Sequence, residues 1–289
     1  MKRCLILKIC LAFLLIVGCL NTNTVLAKDV IKMAIFPRRP ALVTERMFSP
    51  LAQYLSSKIG EKVELVVSKN FRTFWGGVKK GEYDIVHYNQ YHYVKSHKEF
   101  GYNVFVKNEE FGSAEINAAI VVRKDSGINT ISDLKGKKIV FGGGRMAMQS
   151  YIGATHILIT NGLKKGDYIE SFAINPPSSV FAVFNKMADA GGVGEIVLTL
   201  PIVKKRIDVN QIKVLASGEK LPMLCWGVKK GMDKKLIAKI QKAMIELKNN
   251  KKGRKILKSA GVTAFLPATD KEYDPVRRVV KEVLNEDYY

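Results

Sequence analysis

The sequence has 289 residues, of which 47% are hydrophobic and 25% are charged. This balance supplies the apolar residues of a sizeable core and excludes a disordered chain, a collagen-like fibre and a disulfide scaffold. The length fits one large domain or two domains of roughly 100–150 residues each. Lysine and arginine number 47 against 26 aspartate and glutamate, which gives a formal net charge of +21.

Residues 1–27 have the pattern of a secretory signal peptide. The segment opens with basic residues, runs apolar from 9 to 20 and ends in a short polar stretch before Ala27. The apolar run is short for a membrane-spanning helix, which needs about 20 residues, although a retained anchor is the alternative. Cleavage after Ala27 would leave a net charge of +18, with 44 basic and 26 acidic residues. Alternatively, Cys19 ends a lipobox-like sequence and would be lipidated. Either way, we predict export to the periplasm.

From Val30 onward, short apolar strands alternate with amphipathic helices. The first strand, 30–36, stops at a proline, and the next segment repeats apolar residues at helical spacing. The other elements of this half are strands at 63–67 and 84–88 and helices at 71–80 and 90–100. The order β-α-β-α-β-α predicts a mainly parallel sheet with helices on both faces.

A second unit of the same kind follows. The predicted strands are 103–106, 116–122, 138–141, 190–193, 214–216 and 223–228, and the predicted helices are 147–161, 178–188, 234–247 and 254–260. We therefore predict an α/β fold of two lobes, the second inserted into the first. Residues 28–118 would begin lobe 1, residues 119–220 would form lobe 2, and residues 221–289 would complete lobe 1.

Cys225 is the one cysteine that follows the expected leader, so no internal disulfide can form. It lies in the apolar strand predicted at 223–228, where a buried and unreactive thiol is expected. The alternative is a soft ligand for a species such as arsenite, which would require an exposed thiol.

Five phrases of the sequence, taken in order, carry a resemblance to a known family. They are Met33–Pro37, Asp84–Tyr88, Ile131–Lys138, Asp189–Gly191 and Gly261–Arg277. The third is shared by many two-lobed binding proteins, whereas the last, through Tyr273-Asp274-Pro275, is more particular. Together they resemble the PhnD-like periplasmic phosphonate-, phosphite- and phosphate-binding proteins of ABC transporters. The resemblance covers nearly all of residues 30–280 and implies a type II solute-binding protein, in which two hinged lobes close on a small ligand.

The resemblance implies a ligand cleft at the carboxyl ends of the strands. Helix N-termini at this edge offer unpaired N–H groups, which suit a small oxyanion. The strand-to-helix junctions at 36–39, 70–73, 141–148 and 175–179 are the candidates, together with the strand end at 88–89. The ligand-binding residues that we expect are Phe36, Thr73, Tyr88, Asn89, Gly143, Gly144, Arg145, Met146, Ser178 and Ser179. Tyr88 matches the family position where an aromatic side chain lines the cleft.

One departure from the family pattern bears on the ligand. Phosphonate-binding members usually carry a Ser-Thr-Ser-Gly-like run at the first helix of lobe 2, whereas residues 142–150 here contain three glycines, one arginine and two methionines. The glycines fit an anion-binding nest or a plain tight turn equally well. Arg145 would make a bidentate contact to an oxyanion or face solvent, and Ser178 and Ser179 would bind ligand or cap a helix.

The leading function is therefore capture of a small oxyanion-like ligand and its delivery to an ABC permease. The alternative is a periplasmic sensor of the same fold that signals to a histidine kinase. No catalytic motif is present, so we expect no enzyme, and we expect no cofactor. The spacing of His87, His92 and His97 does not suit a metal site. The densest basic group is Lys248–Lys258, but the lysines are otherwise spread and no stacking aromatics accompany them. We therefore expect no nucleic-acid partner, and membrane contact only through a lipid at Cys19.

Overall fold

The structure is a computed structural model that describes residues 30–289. The expected signal peptide, with its alternative processing sites at Ala27 and Cys19, lies outside the described residues. Within the part of the chain that the structure describes, no helix combines the length and the apolar character needed to cross a membrane.

Strands and helices alternate along most of the described chain. The strands are β1 Ile31–Ile35, β2 Val63–Val67, β3 Ile85–Tyr88, β4 Asn103–Glu109, β5 Glu115–Arg123, β6 Lys138–Gly142, β7 Ile169–Ala173, β8 Ala190–Gly194, β9 Ile212–Pro222, β10 Cys225–Val228 and β11 Ala264–Pro267. The helices are α1 Ala41–Ile59, α2 Phe71–Lys79, α3 Gln90–Phe100, α4 Ala154–Thr160, α5 Pro176–Phe184, α6 Pro201–Lys204, α7 Lys234–Glu246, α8 Lys251–Ala260 and α9 Asp274–Leu284. A π-helical segment, Met148–Gly153, leads directly into α4.

Six strands form the sheet of lobe 1, in the order β11-β4-β10-β3-β1-β2. β1 pairs in parallel with β2 and with β3, so the carboxyl ends of these strands meet at one edge. β10 runs antiparallel to both of its neighbours, β3 and β4. Helices α1, α7 and α8 cover one face of this sheet, and α2, α3 and α9 cover the other.

Five strands form the sheet of lobe 2, in the order β7-β6-β8-β5-β9. β6 is parallel to β7 and β8, whereas β5 is antiparallel to β8 and β9. The π-helical segment and α4 cover one face, and α5 and α6 cover the other. The α/β fold with helices on both faces of each sheet is thus confirmed, and both sheets are mixed because the strands nearest the lobe connections run antiparallel.

Several element boundaries differ from the sequence-based expectation. The lobe boundaries expected at 118/119 and 220/221 fall inside β5 and β9, since these two strands pair along almost their whole length. For the same reason the short strand expected at 214–216 is part of the longer β9. The helix expected at 178–188 begins two residues earlier, at Pro176, because Asn175 caps it.

Two connections join the lobes and lie side by side. Asn108 N donates to Leu224 O (2.8 Å), and Met223 N donates to Ala114 O (2.9 Å). The chain therefore leaves lobe 1 and returns to it at one place, where the two connections are hydrogen-bonded to each other.

A tight turn interrupts the first of these connections. Phe111 and Gly112 both have positive φ, 52° and 78°, and they close a bridge between Glu110 and Ser113. Positive φ is routine for glycine but strained for an aromatic residue. Phe111 is also 54% exposed, so packing does not offset this strain.

Helix α9 contacts both lobes. Toward lobe 2, Glu282 Oε2 lies 2.7 Å from His156 Nε2 on α4, and Arg278 lies 2.5 Å from Glu219 on β9. Toward lobe 1, α9 packs against α3 in the same buried apolar cluster, to which Val276 of α9 and Tyr91 and Val94 of α3 belong. The lobes are therefore held together by α9 as well as by the two connections.

Candidate functional site

A buried polar network lies at the carboxyl ends of β3 and β4, beside the lobe connections. Trp226 Nε1 donates to Asn108 Oδ1 (2.9 Å), and Asn108 Nδ2 donates to Glu110 Oε1 (3.0 Å). An indole nitrogen is a donor only, so its bond fixes the orientation of the Asn108 amide. The Asn108 Nδ2 then faces His87 Nε2 at 3.2 Å. Nε2 is therefore the acceptor, and the proton of neutral His87 is on Nδ1.

His87 carries a buried donor without an acceptor. The ring is 1% exposed and stacks on Trp226 with the centroids 4.5 Å apart. Burial, aided by the charges of Arg38 and Arg39, holds the pKa of His87 well below its ordinary value, so the ring is neutral at pH 7. Its Nδ1 has no hydrogen-bond partner among the described residues. An unpaired buried donor costs about 1–3 kcal/mol, which an acceptor from a ligand would recover.

Two adjacent arginines follow β1 at the same edge. Arg38 Nη2 lies 3.4 Å from Glu110 Oε1, and the Arg38 guanidinium lies over the Phe36 ring at 5.5 Å. Arg39 makes no ion pair with any residue in 30–289, and it is partly buried. Burial lowers the pKa of Arg39 to about 10, with repulsion by Arg38 as the second cause and Glu110 acting against both. Arg38 therefore pairs with the one carboxylate nearby, and Arg39 keeps a partly desolvated positive charge, which favours an anion.

Asn89 connects the end of β3 to lobe 2. Its Oδ1 accepts from the backbone N of His92 (2.9 Å) and caps α3, while its Nδ2 donates to Met146 O across the lobes (3.3 Å). The next residue, Gln90, is buried and donates from Nε2 to Pro222 O at the second lobe connection (2.8 Å). The structure thus brings two expected site residues, Asn89 and Met146, into contact.

The glycine-rich turn of lobe 2 is partly engaged with its own lobe. Gly143 has φ of 106°, and its N–H donates to Ala173 O (2.8 Å) rather than pointing freely outward. Gly144 is exposed beside it. Arg145 folds back, with Nη2 2.7 Å from Glu170 Oε2 and Nη1 donating to Tyr151 (2.6 Å). Because Glu170 already neutralises Arg145, this arginine is not a free anion ligand in the described arrangement.

The hydroxyls of Thr73 and Ser178 donate to the asparagine side chains that cap their helices. Thr73 N and Oγ1 donate to Asn70 Oδ1 (2.9 and 3.2 Å), and Ser178 N and Oγ donate to Asn175 Oδ1 (3.0 and 2.9 Å). Asparagine is among the preferred N-cap residues, and it holds the first turns of α2 and α5 in the same way. Each hydroxyl retains lone pairs but has already donated its proton within the protein.

Two other expected site residues are fully buried. Ser179 Oγ donates to Val140 O inside lobe 2 (2.8 Å). Tyr88 is 0% exposed and packs edge-on against Phe74 and Tyr102 in the core of lobe 1, where burial raises its pKa well above the ordinary value. The side chain of Tyr88 therefore lies in the aromatic core of lobe 1. It does not point to the edge of the sheet where the arginines lie.

An acidic group lies at the carboxyl end of β8 in lobe 2. Glu195 accepts a hydrogen bond from Asn117 Nδ2 and another from Ser217 Oγ (3.0 Å). None of the described residues pairs with Glu195 as a cation. No local pattern in the sequence marks this group, because its two partners come from β5 and β9.

Metal and thiol chemistry receive no support from the described residues. Across residues 30–289, no group of three or more His, Cys, Asp or Glu side chains is arranged to hold a metal ion. Cys225 is fully buried, and burial raises the pKa of its thiol. A soft-ligand role would need an exposed and ionisable thiol, so the buried, unreactive alternative fits the structure.

Similar solved structures define the class of fold. A Xanthomonas citri protein bound to ATP matches 89% of this chain and 97% of its own with a TM-score of 0.74. A binding protein component of an ABC phosphonate transporter from Pseudomonas aeruginosa matches 89% and 87% with a TM-score of 0.73. PhnD1 from Prochlorococcus marinus in complex with methylphosphonate matches 89% and 99% with a TM-score of 0.75. Each is 15% identical to this chain. The fold is that of the type II periplasmic binding proteins.

Sequence comparison narrows this class to a family. The model described as "ABC transporter, phosphonate, periplasmic substrate-binding protein" matches residues 33–273. The chain belongs to this family, and the resemblance carried by its five phrases is confirmed. Proteins of the family capture solutes for import by ABC transporters and are in general not enzymes.

Proposed function

We propose that this protein captures a small oxyanion, of the phosphorus type or a related one, between its lobes and delivers it to the permease of an ABC importer. The observation that carries the proposal is Arg39, a partly buried guanidinium without an ionic partner among residues 30–289. Arg38 and the unpaired Nδ1 of His87 lie near it and add further donors. A bound oxyanion would accept from these groups and remove the repulsion between the two arginines.

The composition of the site favours an oxyanion in general over a phosphonate in particular. The run of hydroxyl residues that typical phosphonate-binding members carry is absent. The N–H of Gly143 already donates to Ala173 O within lobe 2, and Arg145 is paired with Glu170. The charge for binding would therefore come from lobe 1. Glu195 adds a carboxylate on lobe 2, which would repel a second anionic group and attract a cationic substituent.

Closure of the two lobes would be the conformational part of the function. We propose that the two sheets with their helices move as the two lobes, with the hinge at the paired connections near 108–114 and 222–224 and not at the expected boundaries 118/119 and 220/221, which lie inside paired strands. The Asn89–Met146 contact is a bond that forms only when the lobes are close. Closure would exclude water and strengthen each hydrogen bond to the ligand.

Export is part of the same proposal. Family members are periplasmic, and the pattern of residues 1–27 suits removal after Ala27, with lipidation at Cys19 as the alternative. Because the permease is a membrane protein, either form would work at the membrane surface.

The test is a thermal-shift screen of the mature protein against phosphonates, phosphite, phosphate, sulfate, arsenite and carboxylates. A ligand at about 100 times its Kd adds about 2.7 kcal/mol, which raises Tm by about 5–11 °C for a chain of this size. Arg39→Gln should remove a charge-assisted bond of about 2 kcal/mol, so the same concentration would add only about 0.8 kcal/mol.

The matched control is Arg46→Gln, which removes an exposed arginine of α1 that has no ion pair among the described residues. It should keep the full shift. No shift with any of these anions, or an equal shift in Arg39→Gln and wild type, would refute the oxyanion site.

A sensor of the same fold remains the second candidate, since ligand capture alone does not define the output. Co-purification with a permease and its ATPase would support import, whereas co-purification with a histidine kinase would support sensing. The genes next to this one would separate the two in the same way.

A further inference from the structure

Helix α7 exposes a face made almost entirely of lysine. Lys234, Lys235, Lys239 and Lys242 are all exposed, while the buried side of the helix is formed by Ile240, Ala243 and Met244. At 100° per residue the four lysines fall within one arc opposite the buried residues.

Helix α8 repeats this arrangement beside it. The exposed residues are Lys251, Lys252, Arg254, Lys255 and Lys258, and the buried residues are Gly253, Ile256, Leu257 and Ala260. Both helices pack on α1 in the layer that covers one face of the lobe 1 sheet. Both basic arcs face away from this layer, and we call them together the α7–α8 surface. The sequence indicates Lys248–Lys258 as the densest basic group and the other lysines as spread, and the structure adds the lysines of α7.

The charge of this surface is largely uncompensated. From Asp233 to Lys258 there are ten basic residues and two acidic residues, Asp233 and Glu246. Asp233 caps α7 through Leu236 N (2.8 Å), and Glu246 pairs with Lys242 at 3.8 Å. No other basic residue in this stretch has a carboxylate partner within residues 30–289. This stretch, under a tenth of the chain, thus holds a net charge of +8, out of the +18 expected for the exported protein.

The chemistry of the surface fits a planar array of phosphates. Lysine carries a compact charge on a flexible stem and binds phosphate without a fixed geometry. No large apolar side chain between residues 229 and 260 is exposed. The surface would therefore bind phosphates by charge alone and would insert no side chain into an apolar layer. The stretch also exposes no aromatic ring on which a base could stack, which disfavours single-stranded nucleic acid.

We propose that the α7–α8 surface docks on the anionic phospholipid headgroups of the membrane in which the permease lies. This contact is separate from the cleft and does not depend on which ligand is bound. It would confine the protein to two dimensions near its permease by reversible, salt-sensitive attraction. It requires no lipid at Cys19 and would hold the unlipidated form at the membrane as well.

The test is co-sedimentation of the mature protein with vesicles. The protein is expressed with its own leader and with Cys19→Ala, so that no lipid anchor contributes. Vesicles of phosphatidylcholine mixed with phosphatidylglycerol should bind it at low salt and release it as salt rises, and pure phosphatidylcholine should not bind it. The reversal K251E/K252E/K255E should weaken binding at least about tenfold, since each surface lysine is worth about a factor of five.

The control K135E/K137E/K165E changes the charge equally on exposed lysines of lobe 2 and should weaken binding much less. The neutral variant K251Q/K252Q/K255Q, with a melting curve for each protein, guards against misfolding as the cause of any loss.

Equal losses in the α8 variant and the lobe 2 control would overturn the proposal, as would equal binding to both kinds of vesicle. Release by inorganic phosphate beyond that produced by sodium chloride of the same ionic strength would indicate a free-phosphate site instead. Tighter binding to double-stranded DNA than to the anionic vesicles at the same salt would also overturn it, because the surface would then be a nucleic-acid surface.

Discussion

Acid should destabilise this protein through His92, a histidine of α3. His92 is 3% exposed, and both its backbone N and its Nδ1 face Asn89 Oδ1, at 2.9 and 2.7 Å. A carboxamide oxygen only accepts, so Nδ1 carries the proton and Nε2 is the atom that acid must protonate. Nε2 is buried without a partner among the described residues. The rings of Phe71 and Trp75 pack against the His92 ring, with their centroids 4.3 and 5.3 Å from its centroid.

The size of the effect follows from the two states of the chain. Burial, with the charge of Lys95 as the second cause, lowers the pKa of His92 to about 3 in the folded protein, against about 6.5 in the unfolded chain. Above about pH 6.5 His92 is neutral in the folded and in the unfolded chain, so it does not change the free energy of unfolding. Below about pH 6.5 His92 is protonated in the unfolded chain but stays neutral in the folded protein. The free energy of unfolding therefore falls until the pH nears 3, where the folded protein also binds the proton. Between pH 7 and pH 5 the loss is about 2 kcal/mol.

The assay is guanidinium unfolding at pH 7 and pH 5 for wild type and His92→Gln. Glutamine can still donate to Asn89 but does not titrate, so this variant should lose about 2 kcal/mol less between the two pH values. His87 is also buried and neutral, and it should account for further loss that persists in the variant. His97→Gln, which removes a partly exposed histidine, is the control. An identical pH dependence in wild type and His92→Gln would refute the reasoning.

Three further predictions concern other residues. Phe111→Asn should stabilise the protein by about 1 kcal/mol, since asparagine tolerates positive φ; an unchanged or lower denaturation midpoint would contradict the assigned strain. Arg277→Met should cost about 1–3 kcal/mol, because the buried guanidinium donates to Tyr288 O and Asp270 O and these carbonyl groups would lose their donor; an unchanged denaturation midpoint would show that these bonds contribute little. The Cys225 thiol should react with a disulfide reagent only as fast as the protein unfolds, so rapid reaction of the native protein would argue against its burial.

Much of the fold follows from local patterns in the sequence. The alternation of apolar strands and amphipathic helices and the insertion of one lobe into the other are readable because each element is periodic over its own length. The start of α5 was misplaced for a local reason. Asn175, Ser178 and Ser179 can each cap a helix, and the choice is made by Pro176, which suits the first helical position.

The site was harder to predict because its decisive contacts are distant in sequence. All four residues of β3 are buried, so no alternation of polar and apolar residues shows on which face of the sheet Tyr88 lies. In the structure its ring is packed in the core of lobe 1. Arg145 forms an ion pair with Glu170 of β7 and is therefore not available to a ligand. Asn108 is oriented by Trp226, 118 residues later. By contrast, the strand-to-helix junction at 36–39 was identified from sequence, and the unpaired Arg39 lies within it.

The place of β10 between β3 and β4 bears on how the chain folds. Lobe 2 is built from one continuous stretch, so its contacts can form as soon as residue 222 is available. Lobe 1 has a gap in its sheet until β10 arrives, because Tyr88 pairs with Cys225 and Lys107 pairs with the same residue from the other side. Closing so long a loop is slow compared with local pairing. For a member of a periplasmic family this order would favour export, since the lobe that carries Arg38 and Arg39 would complete its sheet only after β10 and β11 had emerged.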